Sequence, residues 1–493
     1  MSISFALPST AVRTLYESPL TQRYASKEMG AIWSPAMKFG TWRRLWLALA
    51  TAQREAGLDI SDAQLAEMAA NLDLNEEDFT VAAAKEVELR HDVMAHIHAF
   101  GARCPAAMPI IHLGATSMYV NDNTDLIILR NALKLVHRRL LRLIEGLRGF
   151  CDAQKATPTL GFTHYQPAQL VTIGKRASLW LQDFALDERA LARAIEDLPF
   201  RGCVGTTGTQ ASYLALFDGD HAKVETLSRR IAEICGFDAA ALLPVCGQTY
   251  TRKFDYFLLA TLSGIAQSAH KMCTDVRLLA NLKELEEPFG KKQVGSSAMA
   301  YKRNPMRSER VCALARIVMS LSANAANTHA NQWLERTLDD SANRRIALPE
   351  AFLAIDVLLR TAADVAGGLV VYPQVVNAHV MAELPFMATE EILMACVKAG
   401  GDRQVLHEAI REHSMAAARV VKNEGGKNDL IERLLTDELF AVVHASLVDI
   451  LQPERFVGRC AEQVDAYLAS YIDPLLARHA VTLAAKGSDQ MRV

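Results

Sequence analysis

The 493-residue chain carries no excess of either charge: 53 Lys and Arg stand against 56 Asp and Glu, a net charge of −3. A general nucleic-acid binder shows a strong basic surplus, so the near-neutral balance argues against that class, although it does not exclude a local anion site. No apolar run approaches the ~18 residues of a membrane span. The opening "MSISFALPSTAVRTLYESPL" lacks a basic n-region and a long enough apolar run for a secretory signal. The closing "DQMRV" is neither a peroxisomal tripeptide nor a lipidation box. We therefore expect a cytoplasmic protein that engages no membrane. No CxxC pair exists among Cys104, Cys151, Cys203, Cys235, Cys246, Cys273, Cys312, Cys396 and Cys460. Their odd number and scatter predict reduced thiols serving as small core residues. "RHDVMAHIHAF" holds His91, His96 and His98, with His112 further on, but not the i, i+4 histidine pair of a helical zinc motif. Runs of alternating apolar and polar residues are scarce, so any sheet should be minor.

Half of the residues are hydrophobic, which is ample for a large core. The dominant pattern is helical. Leu126, Leu129, Leu133, Val136, Leu140, Leu143, Leu147 and Phe150 alternate spacings of 3 and 4, the seam of one long helix. "NDNTD" before it offers N-caps. A second seam runs Leu258, Leu262, Ile265, Ala269, Met272, Val276, Leu279. Such helices imply a bundle. "CPAAMPIIHLGATS" and "AGGLVVYP" carry the proline and glycine punctuation of boundaries. We expect an N-terminal helical domain at 1–112, a central long-helix bundle at 113–365 and a C-terminal helical domain at 366–493.

Several segments carry chemistry, each ambiguous alone. "GFTHYQPAQL" sets Thr163 and His164 ahead of Pro167. A lone histidine there is more often part of a helix N-terminus than a general acid or base. "GATSMYVNDNTD" puts Thr116 and Ser117 beside a glycine before the long helix, which suits either ordinary capping or a carboxylate. "GTTGTQ" lacks the Gly-Lys-Ser/Thr ending of a Walker A loop and signifies a tight turn near a ligand. "RTLDDSANRR" reads as a solvated charged helix face or as a phosphate clamp. "GSSAMAYKRNPMRSER" reads as a flexible loop, with Lys302 and Asn304, running through Pro305 into a helix. Cations at a helix N-terminus oppose its macrodipole, so an anion should offset Arg303, Arg307 and Arg310.

Together these segments resemble a family. Gly295, Ser296, Met299, Lys302 and Asn304 fill the Gly-Ser-x-x-Met-x-x-Lys-x-Asn signature of the fumarase/aspartase superfamily, and "TSMYVND" and "THYQPAQ" look like its other two characteristic regions. "YKRNPMRSER", "RHDVMAH", "FTHYQPAQ", "GQTYTRK" and "RTLDDSANRR" are similar to the adenylosuccinate lyase family, of the type found in animals. The likeness runs from "SPLTQRYAS" to about residue 475. One departure is Ala300, where the family usually has Pro; it should loosen the loop slightly without abolishing activity.

The resemblance implies an all-α, three-domain fold whose central bundle forms a twenty-helix core in a homotetramer, with each active site shared between three chains. It implies β-elimination of fumarate from adenylosuccinate and from SAICAR, without metal or organic cofactor. Ser296 would be the general base, His164 the general acid, and Lys302 a support for developing negative charge. Thr116, Ser117, Thr163, Gln248 and Asn304 would hold the succinyl carboxylates. Arg23, Tyr24, Arg336, Ser341 and Arg345 would bind the nucleotide, and Arg90, His91, Asp92 and Arg310 would make further substrate contacts. Rivals on the same fold are argininosuccinate lyase, fumarase and a carboxymuconate-cycloisomerase-type enzyme. Rivals from other classes are an inactive scaffold homologue and an RNA-binding helical protein. Intact Ser296, His164 and Lys302 argue against the scaffold.

Overall fold

The computed structural model describes residues 16–484. The helix Ser117–Ala153, 37 residues long, continues the first seam through its whole length. Lys253–Asn281 does the same for the second. Every seam residue from Leu126 to Leu147 and from Leu258 to Leu279 is buried, and Phe150 packs against the core from the side. Fully burying each leucine contributes about 1.5–3 kcal/mol, so these seams dominate the stability of the bundle.

The helices Ile173–Glu196, Met306–Ala330 and Asp339–Gly368 complete the bundle. Ser117–Ala153 packs against Ile173–Glu196 on one side and Asp339–Gly368 on the other, and Lys253–Asn281 packs against all three of its bundle neighbours apart from Ser117–Ala153. The N-terminal helices, led by Pro35–Glu55, lean on Ser117–Ala153. Toward the C-terminus a separate apolar cluster, including Ile392, Cys396, Leu406, Leu434 and Phe440, lies beneath shorter helices. The fold is all-α with minor sheet, as the sequence pattern led us to expect.

Two local expectations need correction. "NDNTD" does not cap the long helix: Thr116 is its N-cap, and Asp122, Asn123 and Thr124 lie buried inside it. Their polar groups are used elsewhere, because Asn123 exchanges hydrogen bonds with the Gly202 backbone at 3.0 and 3.1 Å. "GFTHYQPAQL" is no helix N-terminus. It is an antiparallel hairpin of β1, Pro158–Thr163, and β2, Gln166–Thr172. Leu160 and Leu170 anchor it on Val376 and Val380 of the helix Pro373–Met387. Seven of the nine cysteines are buried and all are free, in line with small core residues.

Candidate active site

The signature loop closes on itself. Asn304 Nδ2 donates to the Gly295 carbonyl at 2.7 Å. A Cβ on Gly295 would stand 2.1 Å from the Lys302 carbonyl oxygen, so only glycine lets the two strands of the loop meet. Inside this loop Ser296 Oγ accepts from the backbone N–H of Ala298 at 3.3 Å and of Met299 at 3.1 Å. Two amide dipoles thus converge on one hydroxyl oxygen, an arrangement that favours negative charge there. Lys302 is exposed, and its ammonium has no partner among the described residues.

The helix that follows, Met306–Ala330, has its counter-anion within the chain. Buried Glu287 accepts from Arg307 N at 2.9 Å, from Ser308 N at 2.8 Å and from Ser308 Oγ at 2.8 Å. The orphan donors of the first turn are satisfied and the macrodipole faces a carboxylate. Arg303 pairs with Glu286 at 3.3 Å, and Arg307 pairs with Asp364 at 3.2 Å. Those two cations therefore brace the loop, while Lys302 is exposed. Arg310 lies over the Tyr24 ring at 5.5 Å, and Arg23 approaches the same ring at 5.7 Å. Candidate substrate contacts from two distant segments, Arg23–Tyr24 and Arg310, thus meet at one aromatic ring.

The hairpin presents His164 at its tip. His164 and Tyr165 are the two turn residues, with φ of +52° and +58°. A two-residue turn with both φ positive normally takes Asn-Gly, because it costs other residues about 1–3 kcal/mol each. Thr163, His164, Tyr165 and Gln166 are all exposed. Among the described residues, no hydrogen bond, ion pair or ring contact joins this tip to the signature loop.

A third group gathers around His91, which caps the helix Asp92–Arg103 by accepting the Met94 N–H on Nδ1 at 3.2 Å. Its proton therefore sits on Nε2, which faces Ser117 Oγ at 3.3 Å. Asp92 pairs with Arg345 at 3.0 Å. Burial and the Arg345 charge lower the pKa of Lys38 beside them. Thr116 occupies the N-cap position of the long helix, yet its side chain makes no capping bond. Ordinary side-chain capping thus does not account for Thr116. Arg90, in the left-handed conformation with φ of 52°, ends the preceding helix Glu76–Leu89.

Gln248 is held by a different set of loops. Its Nε2 donates to the Thr206 carbonyl at 3.0 Å, and its backbone N–H donates to Glu335 at 3.0 Å. The "GTTGTQ" turn beside it is tight: a Cβ on Gly208 would come within 1.7 Å of the Cys246 carbonyl oxygen. A cavity of ≈480 Å³ opens here, with Gly247, Arg252, Glu335 and Arg336 in its wall.

Beneath these groups lies an ion network that sequence reading overlooked. Buried Arg252 bonds Asp122 at 3.1 Å and Asp340 at 2.7 Å. Buried Arg344 bonds Asp255 at 2.6 Å and Asp125 at 3.0 Å. Burial pushes the Asp340 carboxyl up, but Arg252 and Arg336 outweigh it and hold the carboxyl below its ordinary value. "RTLDDSANRR" is thus neither a wholly solvated face nor a simple clamp. Asp340 and Arg344 are buried structure, Arg336 is largely covered and bound to Asp340 at 2.7 Å, and Arg345 reaches outward; Ser341 sits in the same first turn of Asp339–Gly368. The one available sequence signal was a charge set inside an apolar helical stretch. His96 stacks on Phe39 with centroids 3.8 Å apart, and His112 accepts from Trp46 Nε1 at 2.9 Å; burial lowers both pKa values to about 4.

Residues 35–320 match the family model described as Lyase, and residues 385–467 match the one described as Adenylosuccinate lyase C-terminus. The chain is 53% identical to the adenylosuccinate lyase of Saccharomyces cerevisiae over 94% of its own length and 95% of that protein. It is 47% identical to the Schistosoma mansoni adenylosuccinate lyase, covering 94% and 96%. In fold it resembles a fumarate lyase from Mesorhizobium sp. BNC1, with a TM-score of 0.76, 22% identity, and coverage of 91% of this chain and 99% of that one. A 3-carboxy-cis,cis-muconate lactonizing enzyme from Pseudomonas putida gives a TM-score of 0.77 at 21% identity, covering 94% and 98%.

Proposed function

Because the chain belongs to the adenylosuccinate lyase family, we propose that it cleaves adenylosuccinate to AMP and fumarate, and SAICAR to AICAR and fumarate, by β-elimination. The observation that carries this reading is Ser296 Oγ held by two amide N–H groups of its own loop. The proton to be removed sits on carbon beside a carboxylate and is weakly acidic, so its base must be strong. A serine alkoxide is strong enough, and it persists only where donors converge on it. In the reaction Ser296 takes that proton, the C–N bonding pair leaves with the purine nitrogen, and His164 returns a proton to the nitrogen. Lys302 faces the doubly charged carboxylate that forms between these steps.

Thr116, Ser117, Thr163, Gln248 and Asn304 would receive the succinyl carboxylates. Asn304 spends one amide hydrogen on Gly295 and has one left for substrate. Arg23, Tyr24, Arg310, Arg336, Ser341 and Arg345 would hold the nucleotide, with the Tyr24 ring as its platform. Arg90, His91 and Asp92 would complete the pocket.

The base lies on the signature loop and the acid on a hairpin tip that the loop does not touch. A site assembled from three chains of a homotetramer accounts for this separation. Exposed Leu179, Leu186, Phe257, Leu278 and Ile317 on the bundle helices support such an assembly, since apolar surface of this kind marks interfaces. We place the domain limits at 1–112, 113–365 and 366–493, and the protein in the cytoplasm. No described helix is long and apolar enough to cross a membrane. Adding adenylosuccinate to the purified protein should change the purine ultraviolet spectrum, and Ser296→Ala should abolish the change. An unchanged spectrum with the unsubstituted protein refutes the assignment. Inactive His164→Ala and Ser296→Ala chains should regain activity when exchanged into hybrids; hybrids that stay inactive refute the shared site.

A further inference from the structure

Away from all of these residues, three bundle and C-terminal elements bring two imidazoles and a carboxylate together. His137 lies midway along Ser117–Ala153, Glu188 on Ile173–Glu196, and His479 just after the helix Asp473–Arg478. His137 Nε2 is 2.8 Å and His479 Nε2 is 3.2 Å from the same Glu188 Oε1. One ligand atom from each residue lies within 4.8 Å of the other two, and no other group of His, Cys, Asp or Glu among the described residues is so arranged. His137 and Glu188 are buried, and the His479 side chain is 26% exposed. His137 and His479 both open onto a cavity of ≈780 Å³, a route by which an ion and its water can enter. Arg138, also on its wall, is neutralised by Glu28 at 2.7 Å.

We propose that His137, Glu188 and His479 form a binding site for a borderline divalent transition metal, zinc above all, that clasps the C-terminal segment to the bundle. The donor chemistry selects the metal: two imidazoles and one carboxylate suit zinc, cobalt or nickel, whereas calcium and magnesium demand oxygen ligands. The donor spacing is close to what such an ion needs at the carboxylate. A tetrahedral ion with bonds of ~2.0–2.1 Å spaces its donors by roughly 3.3 Å. The two nitrogen–oxygen separations, 2.8 and 3.2 Å, are within a few tenths of an ångström of that spacing, and the ligand nitrogens of the two imidazoles lie within 4.8 Å of each other. A water from the cavity supplies the fourth ligand. The ion would replace two hydrogen bonds by three coordinate bonds, joining His479 to helices more than 290 residues earlier in the chain.

The test uses the full-length protein without a histidine tag, stripped with chelator. Zinc competition against a chromophoric indicator should find one site per chain. His479→Gln should weaken it at least tenfold, while leaving the His137–Glu188 bond and the apo thermal midpoint in place. Cobalt(II) in the unsubstituted protein should show visible tetrahedral bands without a thiolate charge-transfer band. This spectrum decides the matter even if the variant fails to fold. No zinc bound in competition, equal binding by the variant, or a thiolate band would each overturn the proposal.

Discussion

Replacing Glu287 by alanine should strike both stability and catalysis. The carboxylate receives three hydrogen bonds, from Arg307 N, Ser308 N and Ser308 Oγ, at 2.9, 2.8 and 2.8 Å. Ser308 is fully buried, so in Glu287→Ala its N–H and hydroxyl lose their partner without regaining water; Arg307 is partly exposed and recovers some hydration. Hydrogen bonds to a charged group are worth about 1.5–3 kcal/mol each, and unsatisfied buried donors cost the full desolvation. Allowing for non-additivity, the loss is about 3–5 kcal/mol. Glu287→Gln keeps the shape and one acceptor but turns an NH₂ toward a donor, and should lose about 1–3 kcal/mol. The same helix start anchors the loop that carries Ser296. A displacement of about 1 Å there should lower kcat roughly 10²-fold in the alanine variant. Urea-unfolding midpoints and steady-state lyase kinetics on the purified variants measure both effects. A Glu287→Ala protein within about 1 kcal/mol of the unsubstituted one, or with unchanged kcat, refutes the reasoning.

Gly295→Ala should lower kcat at least tenfold with a small stability change, since its Cβ would meet the Lys302 carbonyl at 2.1 Å and force the loop open; spectrophotometric assay and thermal midpoint together check this. Arg310→Ala, which removes a cation over the Tyr24 ring, should raise KM about tenfold, one charge-assisted contact's worth, with kcat less affected. His96 and His112 have folded pKa values of about 4, set by burial, against 6.5 when exposed. The unfolded chain therefore binds more protons between those values. Stability is full above pH ~6.5 and falls as pH drops toward 4, by up to about 3 kcal/mol per histidine. A thermal midpoint measured across this window should decline less steeply in His96→Phe, and an identical decline contradicts the assignment.

Much of the bundle was legible because helical periodicity is a local property. The alternating spacing of 3 and 4 from Leu126 to Leu147 allows one face to be buried, and it is. The hairpin was not legible. "GFTHYQPAQL" has no Asn-Gly turn and its strands do not alternate cleanly; the chain accepts positive φ at His164 and Tyr165 instead. Packing of Leu160 and Leu170 against Val376 and Val380 supports that local cost. The signature loop was readable as a motif, while the surroundings of its Ser296 oxygen were not. Ser296 Oγ meets two amides only once the loop has closed through Asn304 and Gly295.

The charged segments divide the two sources of information most clearly. Sequence alone determined that a basic loop enters a helix at Met306, and that an anion had to offset its cations. Only the tertiary structure decided that this anion is Glu287, and that Arg303 and Arg307 pair with Glu286 and Asp364. It alone separated buried Arg344 from outward-reaching Arg345, one residue apart. The reason is physical. Apolar burial repeats with the helix and leaves a period in the chain, whereas an ion pair such as Asp122–Arg252 joins two helices that fold together from distant segments and leaves no period at all.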